Sequence, residues 1–298
     1  MRRLAFLTMD DLDAFIAYDH LAKEPLAERG WHVTDVAWRS GADWDTFDAV
    51  ILRTPWDYHH DPEAFLAVLE TIEGSRARLA NPLGVVRWNL RKTYLRELEA
   101  HGVPVVPTVW GHGLSADSLA DARRRLGNAL VIKPTIGAGA DDTFRLGTEA
   151  GTPADARALA AFADRPYMAQ PFIQSVVDWG EASLFYFGGS YSHAIQKTPA
   201  SGDFRVQEEF GSHLQTIEPD SALREATDRA LETAVALTGS TFLYARPDLV
   251  RLADGTWALM ELELVEPSLY FPLAPGSAAR FADAFVRWME EDAEVQSA

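Results

Sequence analysis

The chain has 298 residues, no cysteine, 27 basic against 44 acidic side chains and a formal net charge of −17. Without cysteine there are no disulfides, no thiolate catalysis and no Cys-type zinc or iron–sulfur site. The acidic balance argues against a nucleic-acid surface and against docking on an anionic membrane, but leaves room for an anionic small ligand held by a few local Lys and Arg.

A hydrophobic fraction of 47% supports a sizeable core. The length suits two or three small domains. The opening run Met1–Asp10 pairs basic residues with a short apolar stretch, and Asp10, Asp11 and Asp13 follow at once. It reads as a buried first strand over Leu4–Met9, not a signal peptide. No segment approaches a membrane span, and the chain reads as cytoplasmic. A helix is expected over Ala17–Arg29, stopped by Gly30. Strands are expected over His32–Trp38 and Ala49–Arg53. Asp61-Pro62-Glu63 starts a helix to about Glu73, with Asp as cap and Pro in the first turn. Arg78–Asn81 is extended. Strands alternating with helices imply a parallel sheet covered on both faces, a small doubly wound domain over roughly residues 1–85. No Gly-x-Gly-x-x-Gly loop follows the first strand, so it is not read as a dinucleotide domain. Ligands in such sheets lie beyond the carboxyl ends of strands. Met9–Asp13 and Arg53–Tyr58 are therefore candidate substrate loops, although simple packing is the plainer reading for Trp56 and for Tyr58. His59-His60 is expected to be solvated, not metal-bound.

Lys92–His101 reads as a helix ending at Gly102, Val103–Trp110 as strand-like, and Leu114–Leu126 as a helix capped by Ser115. Next, an apolar strand delivers Lys133 ahead of a loop containing Gly137 and Gly139. Glycines let a backbone approach a ligand closely, and their amides can cradle phosphate oxygens. This is not a Walker loop, because no Gly-Lys-[Ser/Thr] precedes a helix. A hairpin turn is the ordinary meaning of such a pair. Lys133 adds weight, since a buried Lys needs an anionic partner. After a helix near Pro153–Ala163, Tyr167–Ile173 is either a connecting strand or an adenine slot. Asp178 and Glu181 lie in a polar bend. Ala182–Phe187 and Tyr191–Lys197 form a hairpin across Gly188-Gly189. The loop Thr198–Gln207 delivers Arg205, and a long helix, Ser221–Thr238, stops at Gly239.

The densest chemistry lies in Phe242–Phe271. Two β-rich runs flank the turn Ala253-Asp254-Gly255-Thr256, a hairpin signal. Strand side chains alternate faces, so Arg246 and Asp248 share one face and Glu261 and Glu263 share another. If pairing aligns them, three carboxylates and a guanidinium converge. Close carboxylates repel unless a cation holds them. Oxygen ligands with no His or Cys nearby point to Mg²⁺, and Mg²⁺ held by a few carboxylates usually implies a phosphate substrate. The alternative is the solvated outer face of an ordinary hairpin. A helix, Ser277–Glu291, and an acidic tail close the chain. Phe281, Phe285 and Trp288 on that helix could dock a partner subunit in a homo-oligomer, though such a face more often seals its own domain.

The order of these features resembles the ATP-grasp superfamily, in the group of RimK-type glutamate ligases and bacterial glutathione synthetases, with the nearest likeness to the D-cycloserine-forming branch. The words that carry it are Trp88-Asn-Leu-Arg-Lys-Thr-Tyr-Leu, Gly102-Val-Pro-Val-Val-Pro-Thr, Lys133-Pro-Thr-Ile-Gly-Ala-Gly, Ser192-His-Ala-Ile-Gln-Lys, Asp203-Phe-Arg-Val-Gln and Tyr244-Ala-Arg-Pro-Asp. They span essentially the whole chain. The resemblance implies an α/β (α+β) ATP-grasp fold. It has a doubly wound pre-ATP-grasp domain over 1–107, a central subdomain over 108–195 and a C-terminal subdomain over 196–298. ATP would lie between the last two. Lys92 and Lys133 would bind its phosphates, and the loop Gly137–Asp141, with Gly139, would close over them. Gln170, Phe172 and Ile173 would line the adenine. Asp178 or Glu181 would hold the ribose. Asp248, Glu261 and Glu263 would ligate Mg²⁺, with Glu263 standing where many members have Asn. Arg205 and Arg246 would steady an acyl-phosphate transition state. His193 is a tempting base whose strand neighbours suggest packing or substrate contact.

The implied activity is an ADP-forming carboxylate–amine ligation, or a cyclisation, of an amino-acid-like substrate. Such chemistry needs charge neutralisation and alignment rather than a protein nucleophile. Two other readings compete: a non-catalytic nucleotide-binding protein that kept the fold, and a plain α/β domain with decorative surface charge.

Overall fold

The computed structural model describes residues 2–295, with side chains as far as Glu291. Three sheets organise it. The first comprises β1 (Arg2–Thr8), β2 (Trp31–Ala37), β3 (Ala49–Thr54) and β4 (Arg78–Ala80), all parallel, in the order β2-β1-β3-β4. The second comprises β5 (Val109–His112), β6 (Leu130–Pro134), β7 (Phe144–Leu146) and β8 (Pro166–Pro171), antiparallel, in the order β5-β8-β6-β7. The third comprises β9 (Glu181–Phe187), β10 (Ser190–Thr198), β11 (His213–Thr216), β12 (Tyr244–Arg251) and β13 (Trp257–Glu263), antiparallel, in the order β11-β10-β9-β12-β13. Strands β9 and β10, grouped with the central unit in the sequence reading, hydrogen-bond into this third sheet. No helix among the described residues is long and apolar enough to cross a membrane.

The helices cover these sheets. Helix α1 (Lys23–Glu28) is shorter than expected: Pro25 has no N–H and is tolerated only in a first turn, so the helix starts just ahead of it, behind a 3-10 turn at Asp19–Ala22. Helix α2 (Pro62–Glu73) starts as expected, with the Asp61 carboxylate accepting from the Ala64 amide at 3.1 Å. The next stretch differs. Helices α3 (Leu83–Asn89) and α4 (Tyr94–Ala100) are separated by a turn that holds Lys92, where one helix from Lys92 was expected. The expected strand Val103–Trp110 is broken: Val105 makes a single parallel bridge to Leu259, and a regular strand begins only at Val109, because Pro104 and Pro107 cannot donate to a ladder.

Helices α5 (Ala116–Leu126), α6 (Pro153–Ala161) and the short α7 (Gln174–Asp178) follow the second sheet. Helix α8 (Ser221–Thr238) ends at Gly239, whose φ of +65° is the left-handed cap that glycine adopts without steric cost. Both faces of β9 are buried. Ala182, Leu184 and Tyr186 pack in the cluster with Leu223, Ala230 and Ala234 of α8. Phe185 and Phe187 pack in the cluster with Phe281 and Phe285 of α9 (Ser277–Val295). The aromatic face of α9 thus seals its own core. That helix runs past the expected end at Glu291, and the end of the tail, 296–298, lies outside the described residues.

Candidate active site

The hairpin of β12 and β13 is the floor of the site. Gly255 turns it with φ +88°, and the antiparallel register sets Arg246 opposite Glu263 and Asp248 opposite Glu261. The alignment on which the sequence argument depended is therefore present. Arg246 donates to Asp248 at 3.0 Å, to Glu263, and to the Ser268 carbonyl at 3.1 Å. Asp248 also accepts from the Ser183 hydroxyl and pairs with Lys197 at 3.4 Å. Lys197 reaches Glu181 at 2.6 Å, the residue opposite it across β9 and β10.

Strand β13 is the sheet edge, and side chains from α3 and α4 satisfy its outer backbone groups. Asn89 donates to the Leu262 carbonyl at 2.8 Å and accepts from the Leu264 amide at 3.0 Å. The Tyr94 hydroxyl accepts from the Leu262 amide at 2.7 Å. These bonds hold the turn between α3 and α4 against the edge, and so place Lys92 beside Glu261, to which its ammonium donates. The same ammonium donates to the Gly137 carbonyl at 3.2 Å, which ties the Gly-rich loop to the floor.

A cavity of about 900 Å³ opens above. Its lining includes Lys92, Lys133, Gly137, Gly139, Gln170, Phe172, Ile173, Glu181, Arg205, Arg246, Asp248, Glu261 and Glu263. Asp178 is not in it. That residue is exposed on α7 and accepts from Gln174 at 2.9 Å, so of the two ribose candidates only Glu181 faces the cavity. Gln170 is buried and donates to the Thr108 hydroxyl at 3.1 Å. Arg205 stands at the cavity edge, paired with Asp203 at 2.7 Å and stacked 3.6 Å from the Phe210 ring.

Lys133 differs from every other cation here. It is on β6, and no described carboxylate lies within ion-pair distance. Its ammonium meets only the Met260 sulfur, at 3.7 Å. Burial pushes its pKa down against the longer-range pull of the Glu261 carboxylate, and Lys92 nearby adds to the lowering. Around it the charges are balanced: burial opposes the Asp248 carboxylate, yet Arg246 and Lys197 hold its pKa below the usual range. Burial works against the Lys92 ammonium, but Glu261 holds it above its usual value. Some acids shift the other way, and burial raises Glu181 as well as Glu263. Burial, with Asp248 and Glu261 close by, pushes Glu263 up to about 8.

Other expectations fare variously. Near the first sheet the cavity is lined by Ala14, Phe15 and Ile16, just beyond the expected loop Met9–Asp13, and by Trp56, inside the expected loop Arg53–Tyr58. Tyr58 is buried and stacks on Phe65, the packing role anticipated for it. His193 stacks on Phe185 with centroids 4.2 Å apart, and burial pushes its pKa down to about 4, so it packs in the core and is not among the residues lining this cavity. The sequence reading gave no role to Lys197 or Glu266, both of which line the cavity. Burial pushes Glu266 up to about 7. Lys197 was not findable from the Gly188-Gly189 turn alone, because a register shift between Tyr191 and His193 is what sets it opposite Glu181. Glu266 carried no local signal.

Comparison with known proteins places this site in a lineage. Residues 4–81 match the family model of the D-cycloserine synthetase DcsG N-terminal domain. The chain is 37% identical over 258 residues to the cycloserine biosynthesis protein DcsG of Streptomyces lavendulae, covering 83% of this chain and 85% of that one. The chain belongs to the DcsG family of ATP-grasp ligases. The crystal structure of D-cycloserine synthetase DcsG superposes with a TM-score of 0.83 at 33% identity, over 96% of this chain and 99% of that one. The ATP-grasp ligase PsnB, solved with minimal precursor, Mg and ADP, shares the fold at a TM-score of 0.64 and 16% identity, over 96% and 98%. The family membership makes this chain an ATP-dependent carbon–nitrogen ligase.

Proposed function

We propose that the chain is a Mg-ATP-dependent synthetase that activates the carboxylate of a small amino-acid derivative and closes it onto the substrate's own nitrogen. The observation that carries the nucleotide site is Lys133, a half-buried ammonium in a cavity wall with no carboxylate within ion-pair distance among the described residues. The nucleotide phosphates supply the missing anion. Lys92 and the amides of the loop Gly137–Asp141 complete the phosphate cradle. Gln170, Phe172 and Ile173 line the adenine, and Glu181 is the better placed of the two ribose candidates. Similarity to a cycloserine biosynthesis protein favours ring closure over joining two molecules, since cycloserine carries its amide within a ring.

The donor set of Asp248, Glu261 and Glu263 suits a hard dication: every donor is a carboxylate oxygen, and Glu263 is otherwise held near neutrality by burial. Bound there, Mg²⁺ would neutralise charge on the phosphates in flight. The protein's own residues do the rest. The substrate carboxylate attacks the γ-phosphate, giving an acyl phosphate and ADP. Arg246, fixed by Asp248, Glu263 and the Ser268 carbonyl, stabilises negative charge on the reacting carbonyl oxygen. Arg205 faces the same cavity from its edge and adds a second guanidinium to the reacting phosphate. The substrate nitrogen then expels phosphate.

The test is ADP and phosphate release from a panel of small amino-acid derivatives that carry a second nitrogen, with and without an added amine. We expect release without the added amine, a product containing only the substrate's own atoms, and no release by Asp248→Ala. Release that requires the added amine would make the enzyme an intermolecular ligase.

A further inference from the structure

At the cavity mouth, away from the carboxylate floor, three side chains from two units meet. His59 and His60 lie on the 3-10 turn Tyr58–His60 that follows β3, and Asp141 lies in the Gly-rich loop after β6. One ligand atom from each falls within 4.8 Å of the others. His59 Nε2 is 3.2 Å and His60 Nε2 is 3.6 Å from the same Asp141 oxygen. The two imidazole rings lie 4.1 Å apart, centre to centre.

The hydrogen bonding of His59 makes this cluster informative. Its Nδ1 is 2.9 Å from the Trp56 carbonyl, which can only accept, so Nδ1 carries a proton. In neutral imidazole the other nitrogen then presents a lone pair, here aimed at a carboxylate oxygen. Two lone pairs at 3.2 Å repel unless something positive lies between them. A second proton on His59 would satisfy that one contact alone. One dication satisfies all three groups together.

We propose that His59, His60 and Asp141 form a site for a transition-metal dication such as Zn²⁺, separate from the carboxylate floor. Two imidazole nitrogens and one carboxylate oxygen, with a position open to water, are the donors that zinc takes, and carboxylates alone are not. The Nδ1 bond to Trp56 is the outer-shell contact that fixes a metal-binding His in the right tautomer. Trp56 is itself anchored, since its indole donates to the Glu266 carbonyl at 2.9 Å. His60 and Asp141 have side-chain exposures of 65% and 55%, so an ion can enter. Once bound, the ion clasps the Gly-rich loop to the first domain across the cavity entrance. The site stands whether or not the nucleotide reading holds.

The experiment is calorimetric titration of the nucleotide-free full chain with Zn²⁺, and with Co²⁺ while its visible absorption is recorded. We expect one equivalent to bind and Co²⁺ to show the intense bands of a four-coordinate site. His60→Ala and Asp141→Asn should each weaken binding about tenfold or more, and Asp248→Asn should leave it unchanged. Melting curves verify that each variant is folded, and His59→Gln is a further check on the same ligand set. Absence of binding would overturn the proposal and leave an imidazolium–carboxylate pair. Binding that survives in His60→Ala but is lost in Asp248→Asn would overturn it too, by placing the ion on the floor.

Discussion

The two walls of the cavity treat charge in opposite ways. On the floor, built from β9, β10, β12 and β13, each cation has its anion: Lys197 with Glu181 and Asp248, Arg246 with Asp248 and Glu263, and Lys92 with Glu261. On the opposite wall, Lys133 has none, and the loop that follows is glycine and exposed acid. The floor is preorganised: its dipoles are fixed before a ligand arrives, which is the arrangement that stabilises developing charge. The other wall is completed by its ligand, so it contributes affinity more than alignment. Breaking a pair and removing a lone charge should therefore have stability effects of opposite sign.

The largest effect should come from Asp248→Ala. It leaves Lys197 and Arg246 without their shared buried carboxylate, and should cost about 3 kcal/mol in urea unfolding together with the activity. A variant as stable as the parent would show that the floor is not a coupled network. Next is Glu261→Ala, expected to lower kcat about a hundredfold at saturating Mg²⁺ with a smaller change in KM for ATP. Full turnover would remove Glu261 from the metal face.

Further along β10, His193 tests whether the strand tolerates charge away from the floor. Its pKa falls from 6.5 to about 4 on folding. The unfolded chain therefore binds the extra proton between those values, and stability is lost as pH falls through that window. At pH 5 the loss relative to neutral pH is about 2 kcal/mol. Thermal melts across the window should be flatter for His193→Phe, and parallel curves would contradict a neutral buried imidazole. The smallest change belongs to Lys133→Ala. ATP binding should weaken about tenfold or more, while the ligand-free protein should be no less stable, because a half-buried ammonium without an ion-pair partner has been removed. Unchanged ATP affinity would break the contrast between the walls.

Where chemistry depended on neighbours in sequence, it could be read. Asp254-Gly255 gave the hairpin, and alternation put Arg246 with Asp248 and Glu261 with Glu263, but the one-residue register shift beside Asp248 that sets these pairs opposite each other was not legible. Lys133 followed from one apolar strand. The misreadings arose where the cause was distant. Helix α3 begins behind Pro82 with Gly84 inside it, and it is held by bonds from Asn89 to β13, so periodicity alone did not reveal it. Lys92 consequently sits on a turn. Glu266 and Phe15 meet the cavity only because the first and third sheets pack together, a relation no local pattern encodes. The neighbourhood of His59 and Asp141, 82 residues apart, is of the same kind.

The most direct test of the central claim is a melting-temperature titration with ATP, with and without Mg²⁺, on the parent and on Lys133→Ala. At a hundred times the dissociation constant, binding stabilises by about 2.7 kcal/mol. The account predicts a clear rise for the parent, larger with Mg²⁺ and reduced in the variant. No shift for the parent at millimolar ATP would mean that Lys133 and the carboxylate floor do not form a nucleotide site.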